Sequence, residues 1–167
     1  MKKILIANRG EIALRIVRAC RDAGYISVAI ASEADREGLH ARSAHECHVL
    51  TGNSPLETYL NQSAILGIAA HTGADAIHPG YGLLSENESF AAAVEAANII
   101  WIGPTAQSIA QLGDKVSARS IARSVGAPLL PSLDDSEITV EKASKFIAAH
   151  GLPIIIKAQN GGGGRGM

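Results

Sequence analysis

Five short apolar segments separated by stretches with helical spacing constrain the fold of this chain more than any other feature. They lie at residues 3–7, 27–31, 47–50, 75–78 and 99–103. After the first of them, Ile12, Ile16, Val17 and Cys20 recur at helical spacing, and Gly24 stands where the helix would end. Alternation of this kind predicts an α/β fold, a doubly wound parallel sheet with helices on both faces.

Ligands of such sheets bind beyond the carboxyl ends of the strands, so the loops at those ends are candidate sites. Three of these loops are polar and contain glycine, at residues 8–11, 79–87 and 103–105. In the second, "HPGYGLLSEN", the proline and glycines predict a tight turn that presents Tyr81 outward. Ser85 or Asn87 is predicted to cap the next helix. A purely structural turn is the alternative interpretation of this loop.

Charge and composition exclude several classes of protein. The chain has 15 Lys+Arg and 16 Asp+Glu residues, without the basic excess of a nucleic-acid binder. Its first apolar run ends at Asn8, too early for a signal peptide or a membrane span, so we expect a soluble cytoplasmic protein. Cys20 and Cys47 are expected to be buried, reduced thiols. The three histidines at residues 40–48 match no zinc-site spacing.

The pattern changes after Gly103. Two helical segments divided at Gly113 are followed by a proline-containing linker at residues 127–137, a helix that Thr139 would cap, and a strand at residues 153–158. We therefore predict a first domain at residues 1–114, and at residues 115–167 a linker helix with the start of a second domain.

The chain ends in "GGGGRGM", directly after that last predicted strand. Lys157 follows three isoleucines that are expected to be buried, and a lysine in such a place is costly unless its ammonium meets an anion. Glycines expose successive backbone N–H groups, as polyphosphate binding requires. Lys115 lies near a predicted helix start, which also attracts phosphate. The alternatives are a flexible linker for the glycines and a solvated surface lysine at Lys115.

Four segments in this order, "IANRGEIALRIVRAC", "AIHPGYGLLSEN", "IGPTAQSIAQLGDK" and "IIIKAQNGGGGRGM", resemble the biotin carboxylase component of biotin-dependent carboxylases. The resemblance covers the whole chain. It implies a Rossmann-like pre-ATP-grasp domain followed by the truncated start of an ATP-grasp domain. It also implies an ATP-dependent ligase that uses ATP and Mg²⁺ to activate bicarbonate and then carboxylates biotin. The catalytic residues and Mg²⁺ ligands of the family would lie outside this chain, so the chain alone is expected to be inactive.

The resemblance also implies residue roles on the nucleotide side. Lys115 and Lys157 match two lysines that contact the nucleotide. The glycine-rich loop that closes over the phosphates matches Gly161, Gly162, Gly163, Gly164, Arg165 and Gly166, with Gly163 and Gly164 matching its mobile part.

Two further surfaces follow from the resemblance. Tyr81 and Gly82 match the loop on the biotin side of the site, where Leu83 replaces the commoner phenylalanine of the family. Arg18 and Asp22 match the helix used for dimerisation. The implied partners are a biotin carboxyl carrier protein or domain, a carboxyltransferase and a second copy of the complete protein, with no nucleic acid and no membrane.

Two other interpretations remain open. One is a different ATP-grasp ligase, such as a carbamoyl-phosphate synthetase-like enzyme. The other is a non-catalytic nucleotide-binding or dimerisation module in which the glycines are a linker.

Overall fold

Five parallel strands form the sheet of residues 1–109, the first of two units into which the chain divides. The second unit is residues 110–167. The computed structural model describes residues 2–113, 115–133 and 137–156, with Lys115 described by its backbone alone.

Strands and helices alternate in the first unit as the sequence predicts. The strands are β1 (Lys3–Ile6), β2 (Ile26–Ser32), β3 (Glu46–Leu50), β4 (Ala76–His78) and β5 (Ile100–Trp101), in the spatial order β3-β2-β1-β4-β5. The helices are α1 (Gly10–Asp22), α2 (Leu39–Ser43), α3 (Gln62–Thr72), α4 (Glu88–Ala96) and α5 (Ala106–Gly113), and a short 3-10 turn (Glu33–Asp35) follows β2. The predicted parallel α/β sheet is confirmed.

Helices cover both faces of this sheet because alternate residues of the buried strands point to opposite sides. Leu5 lies in register with Ile77 and Val28, and all three pack in the cluster that contains the buried residues of α3 and α4. Ile4 and Ile6 belong to a second cluster with the buried face of α1, formed by Ala13, Ile16, Val17 and Cys20.

Asparagine side chains cap two helices of this unit, and one of them, Asn87, is a predicted cap. Asn61 Oδ1 accepts the Ala64 N–H at 3.1 Å to cap α3, and Asn87 Oδ1 accepts the Phe90 N–H at 2.8 Å to cap α4. Gly73 ends α3 in the left-handed conformation. α3 begins at Gln62, because Asn61 takes the cap position. Among the described residues, no helix combines the length and the apolar character that crossing a membrane requires.

The two cysteines differ in environment. Cys20 lies on the buried face of α1, as predicted, and burial raises the pKa of its thiol. Cys47 is exposed, so the prediction that it is buried is wrong. It lies on β3, an outer strand of the sheet, where successive residues alternate between a covered and an uncovered side.

The second unit contains α6 (Lys115–Ser124) and α7 (Val140–His150), and Thr139 caps α7 as predicted. The predicted strand at residues 153–158 is not formed in its described part, Pro153–Ile156. There Ile155 and Ile156 are 71% and 60% exposed instead of buried. A strand gains its hydrogen bonds only from a neighbour, and no strand occurs among the described residues of this unit.

Two leucine truncations test where the core lies. Leu5 on the central strand is 0% exposed, whereas Leu56 is 75% exposed. We expect Leu5→Ala to lower the free energy of unfolding by about 2–5 kcal/mol, because it leaves a cavity between strand and helices. Leu56→Ala, the matched control, should change it by no more than about 0.5 kcal/mol. Urea unfolding measures both, and equal losses would contradict this assignment of the core.

Candidate functional site at the carboxyl edge of the sheet

The loops after β1 and β4 begin side by side. Ile6 is in register with His78, and the Ala7 N–H donates to the His78 carbonyl at 2.9 Å, which extends the pairing beyond the strands. This register brings Asn8, in the loop after β1, opposite Gly80 in the loop after β4.

Asn8 ties these two loops together. It is 4% exposed, and its Nδ2 donates to the Pro79 carbonyl at 2.6 Å and to the Tyr81 carbonyl at 2.8 Å. Its Oδ1 accepts the backbone N–H of Arg9 at 2.8 Å. One buried carboxamide therefore satisfies three backbone groups on two loops.

The close approach of the loops requires glycine at residue 80. Gly80 has φ +66°, and a Cβ there would lie 2.9 Å from Asn8 Nδ2. Gly82 also has positive φ, at +63°. Leu83 adopts φ +45°, a left-handed conformation that is strained for a branched side chain, and it packs against the larger core cluster.

This loop presents Tyr81 to solvent. The tyrosine is 59% exposed, as the glycines on either side of it predict. Asn87, rather than Ser85, supplies the cap of the helix that follows.

His78 supports the same turn from the end of β4. Its Nδ1 accepts the Gly80 N–H at 3.0 Å, which requires an unprotonated Nδ1. Burial lowers the pKa of His78, so the folded protein favours the neutral ring.

An ion pair joins the loop after β1 to the turn after β2. Arg9 donates from Nε to Asp35 Oδ2 and from Nη2 to Asp35 Oδ1, both at 2.6 Å. The Tyr59 hydroxyl also donates to Asp35 Oδ2, at 2.6 Å, and accepts the Ser32 N–H at 2.8 Å. The Arg9–Asp35–Tyr59 cluster thus connects the segments that leave three neighbouring strands.

These contacts set the charge states of the cluster. The hydrogen bonds from Arg9, with further ones from Tyr59 and Ser32, hold the pKa of Asp35 far below its usual range against the opposing effect of burial. The same carboxylate raises the pKa of Arg9. Burial, and then the Asp35 contact, raises the pKa of Tyr59. At neutral pH the Asp35 side chain is therefore an ionised carboxylate that accepts hydrogen bonds from the charged Arg9 guanidinium and the neutral Tyr59 hydroxyl.

The described residues contain no group of three or more His, Cys, Asp or Glu side chains that could hold a metal ion. His40 is buried, at 3% exposure, and burial lowers its pKa. The described part of the carboxyl edge contains the hydrogen bonds of the Asn8 carboxamide, the Arg9–Asp35 ion pair and the outward-facing Tyr81.

The other predicted site residues lie elsewhere. Arg18 and Asp22 are on the exposed face of α1. Lys115 is the first residue of α6, as predicted, in the second unit. Outside the described residues lie Lys157, Gly161, Gly162, Gly163, Gly164, Arg165 and Gly166.

The structure brings Tyr81 and Gly82 together with residues that sequence reasoning did not assign a role. These are Asn8, Arg9, Asp35, Tyr59 and His78. Only their position along the chain could have indicated such a role. Asn8 and His78 lie at the carboxyl ends of buried strands, where ligands of such sheets bind. The partners that join Asn8, Arg9 and Tyr59 to other loops are 24 to 73 residues away along the chain, so nothing local in the sequence identifies them.

Two family models match this chain. Residues 1–109 match the model described as biotin carboxylase, N-terminal domain. Residues 114–167 match the model described as carbamoyl-phosphate synthase L chain, ATP binding domain.

Relatives are similar over almost the whole chain. The biotin-dependent acyl-coenzyme A carboxylase alpha3 subunit of Mycobacterium leprae (strain TN) is 53% identical over 99% of this chain and 28% of its own length. Biotin carboxylase 1 of Bacillus subtilis (strain 168) is 45% identical over 100% of this chain and 37% of its own length. The chain thus spans well under half of these curated relatives.

A solved structure has the same fold. The biotin carboxylase domain dimer of Hydrogenobacter thermophilus 2-oxoglutarate carboxylase matches with a TM-score of 0.88 and 43% identity. The match covers 98% of this chain and 36% of that one.

The Arg9–Asp35 pair is open to a double-mutant cycle. We expect Arg9→Gln and Asp35→Asn to couple by about 0.5–1 kcal/mol in the free energy of unfolding, because the pair is bidentate but Arg9 is 52% exposed. The Arg36–Glu33 pair, 3.4 Å apart and 62% and 70% exposed, is the control and should couple by less. Equal coupling energies would show that the Arg9–Asp35 geometry adds nothing.

The turn at residues 78–80 should make stability depend on pH. An unfolded histidine binds its proton near pH 6.5, whereas folded His78 resists protonation, so stability falls as the pH drops below about 6.5. Asn in place of His78 keeps an acceptor for the Gly80 N–H and does not titrate. We expect His78→Asn to reduce the slope of unfolding free energy between pH 7 and 5.5.

Urea unfolding at several pH values measures this slope. Leu56→Ala, which removes no titratable group, is the control and should retain the wild-type slope. A wild-type slope in His78→Asn would show that the titration of His78 does not contribute to the pH dependence of stability.

Proposed function

The chain belongs to the biotin carboxylase N-terminal domain family, and on that premise we propose that it forms the start of a biotin carboxylase. One observation carries the proposal. A biotin carboxylase N-terminal domain at residues 1–109 is followed in the same chain by an ATP-binding domain match at residues 114–167.

The proposed reaction is the ATP-dependent carboxylation of biotin on a carrier protein. The γ-phosphoryl group of ATP passes to bicarbonate, which gives carboxyphosphate and ADP. The N1′ nitrogen of biotin then takes the carboxyl group, and phosphate leaves. The solved relative from Hydrogenobacter thermophilus is a complex with MgADP and bicarbonate, which supports this choice of substrates.

On the nucleotide side we assign Lys115 and Lys157 to the phosphates. Two ammonium groups would neutralise the polyphosphate charge, and the amides of residues 161–166 would close over it and exclude water. The position of Lys115 at the start of α6 supports its part in this site. We propose, as the resemblance to biotin carboxylases implies, that the Mg²⁺ ligands lie beyond residue 167 in the complete protein.

On the biotin side we assign Tyr81 and Gly82. The outward position of Tyr81 at the carboxyl edge supports this assignment, because ligands of doubly wound sheets bind there. The carrier protein or domain would deliver biotin to this edge, and a carboxyltransferase would receive the carboxyl group.

We further propose that Arg18 and Asp22 belong to the contact between two copies of the complete protein. Both are exposed on α1, and the solved relative is named as a dimer. We propose a boundary between the two domains at residues 114 and 115, close to the division of the compact units after Ile109.

A carbamoyl-phosphate synthase-like ligase is the second candidate, because the model matched by residues 114–167 has that name. Dependence on biotin separates the two candidates. A biotin carboxylase hydrolyses ATP faster when biotin is added, and a carbamoyl-phosphate synthase does not respond.

ATP hydrolysis by the complete protein tests the proposal. We expect biotin to stimulate bicarbonate-dependent hydrolysis. Lys157→Ala should weaken ATP binding by roughly 5- to 150-fold, about 1–3 kcal/mol, through loss of a charge-assisted contact. Lys145→Ala is the control, because Lys145 is 76% exposed and pairs with Glu141 on α7.

The outcomes separate the three interpretations. No response to biotin would overturn the biotin carboxylase proposal. Unchanged ATP affinity in Lys157→Ala, measured by titration calorimetry, would instead favour a non-catalytic module with a glycine linker.

A further inference from the structure

The side chains of residues 79–82 do little to stabilise the conformation of this loop. Gly80 and Gly82 both adopt positive φ, and the side chain between them, Tyr81, is directed to solvent. Glycine-rich segments lose much conformational entropy when they are ordered, so their position must come from contacts made by the backbone.

Besides the Gly80 N–H bond to His78 and the Ser85 N–H bond to the Gly82 carbonyl, two of those backbone contacts are made by Asn8. Two of the four carbonyls, Pro79 and Tyr81, accept from Asn8 Nδ2 at 2.6 and 2.8 Å. The acceptors lie on either side of Gly80, whose missing Cβ leaves room for the Asn8 carboxamide. The loop is therefore fixed at both peptide units that flank its turn.

The chemistry of this contact suits asparagine. A carboxamide carries two N–H donors for the carbonyls and an oxygen for the Arg9 N–H. An aspartate would set its charge against two carbonyl oxygens, and an aliphatic residue would leave both of them unpaired in a buried place. Glutamine adds a methylene, which would move the carboxamide away from the position at which it reaches both carbonyls at 2.6 and 2.8 Å.

We infer that Asn8 is a positioning residue for biotin: it fixes residues 79–82 so that Tyr81 and Gly82 meet the substrate in one geometry. The inference rests on the proposed function, in which this loop lies on the biotin side. Asn8 itself is buried and acts through the loop, since its donors are already used by the two carbonyls. A misplaced loop should weaken the productive binding of biotin. It should affect ATP binding less, because the residues assigned to the nucleotide belong to the other compact unit.

The test is a comparison of KM values in the complete protein. In biotin-stimulated ATP hydrolysis, Asn8→Ala should raise the KM for biotin about tenfold more than it raises the KM for ATP. Asn61→Ala is the matched control. It removes an asparagine that also bonds to backbone in this unit, at the start of α3, and its side chain bonds to Glu57, Ser63 and Ala64.

A purely structural role would give a different pattern. Asn8→Ala and Asn61→Ala would then lower the melting temperature and the yield of active enzyme, with the same ratio of the two KM values as the wild type. That result would overturn the inference and leave the proposed function standing.

A second variant covers the case in which Asn8→Ala does not fold. Gly80→Ala keeps Asn8 but places a Cβ 2.9 Å from its Nδ2, which pushes the carboxamide away from the loop. The same selective rise in the KM for biotin is expected, and an unchanged ratio would overturn the inference. If biotin does not stimulate ATP hydrolysis by the wild-type enzyme, the proposed function itself is contradicted.

Discussion

The register between β1 and β4 is the constraint on which the rest of the first unit depends. Ile6 lies opposite His78, and the next hydrogen bond, from Ala7 to the His78 carbonyl, continues the pairing past the ends of both strands. A shift of one residue would move Asn8 away from Gly80 and turn Ile4 and Ile6 toward the wrong cluster. The packing of apolar side chains therefore also sets the geometry of the polar edge.

In this unit, the interactions that stabilise the fold differ from those that position the loops. Buried aliphatic residues on both faces of the sheet provide most of the stabilisation, since the described ion pairs are at least partly exposed. The polar contacts decide where the loops lie. Asn8 holds the loop after β4, and Arg9 and Tyr59 hold the turn that carries Asp35.

Local pattern was sufficient to predict the sheet, its parallel strands, the cap at Thr139, and the cap of α4 as one of two residues, Ser85 or Asn87. These features depend on residues that are close together in sequence. The isoleucines at residues 154–156 show the limit, because a β-branched run forms a strand only beside a partner. Cys47 shows another, because an apolar pattern does not reveal which strand is outermost.

The sequence predicted which polar loops follow the carboxyl ends of the strands, but not the contacts that hold these loops together. The outward position of Tyr81 followed from its glycines, whereas the Asn8–Pro79 contact spans 71 residues and the Arg9–Asp35 contact 26. Contacts over such distances arise from the topology. The roles of Lys115 and Lys157 remain predictions, because they concern a ligand and, for Lys157, a residue outside the described part of the chain.

Leu83 places two demands on one position. Its backbone, at φ +45°, favours glycine, while its side chain fills space against the core. No amino acid is best for both, so evolutionary variation at this site should be narrow and confined to large apolar residues. In a homologue with glycine at this position, the backbone strain would be relieved, but a cavity would form where the Leu83 side chain packs against the core.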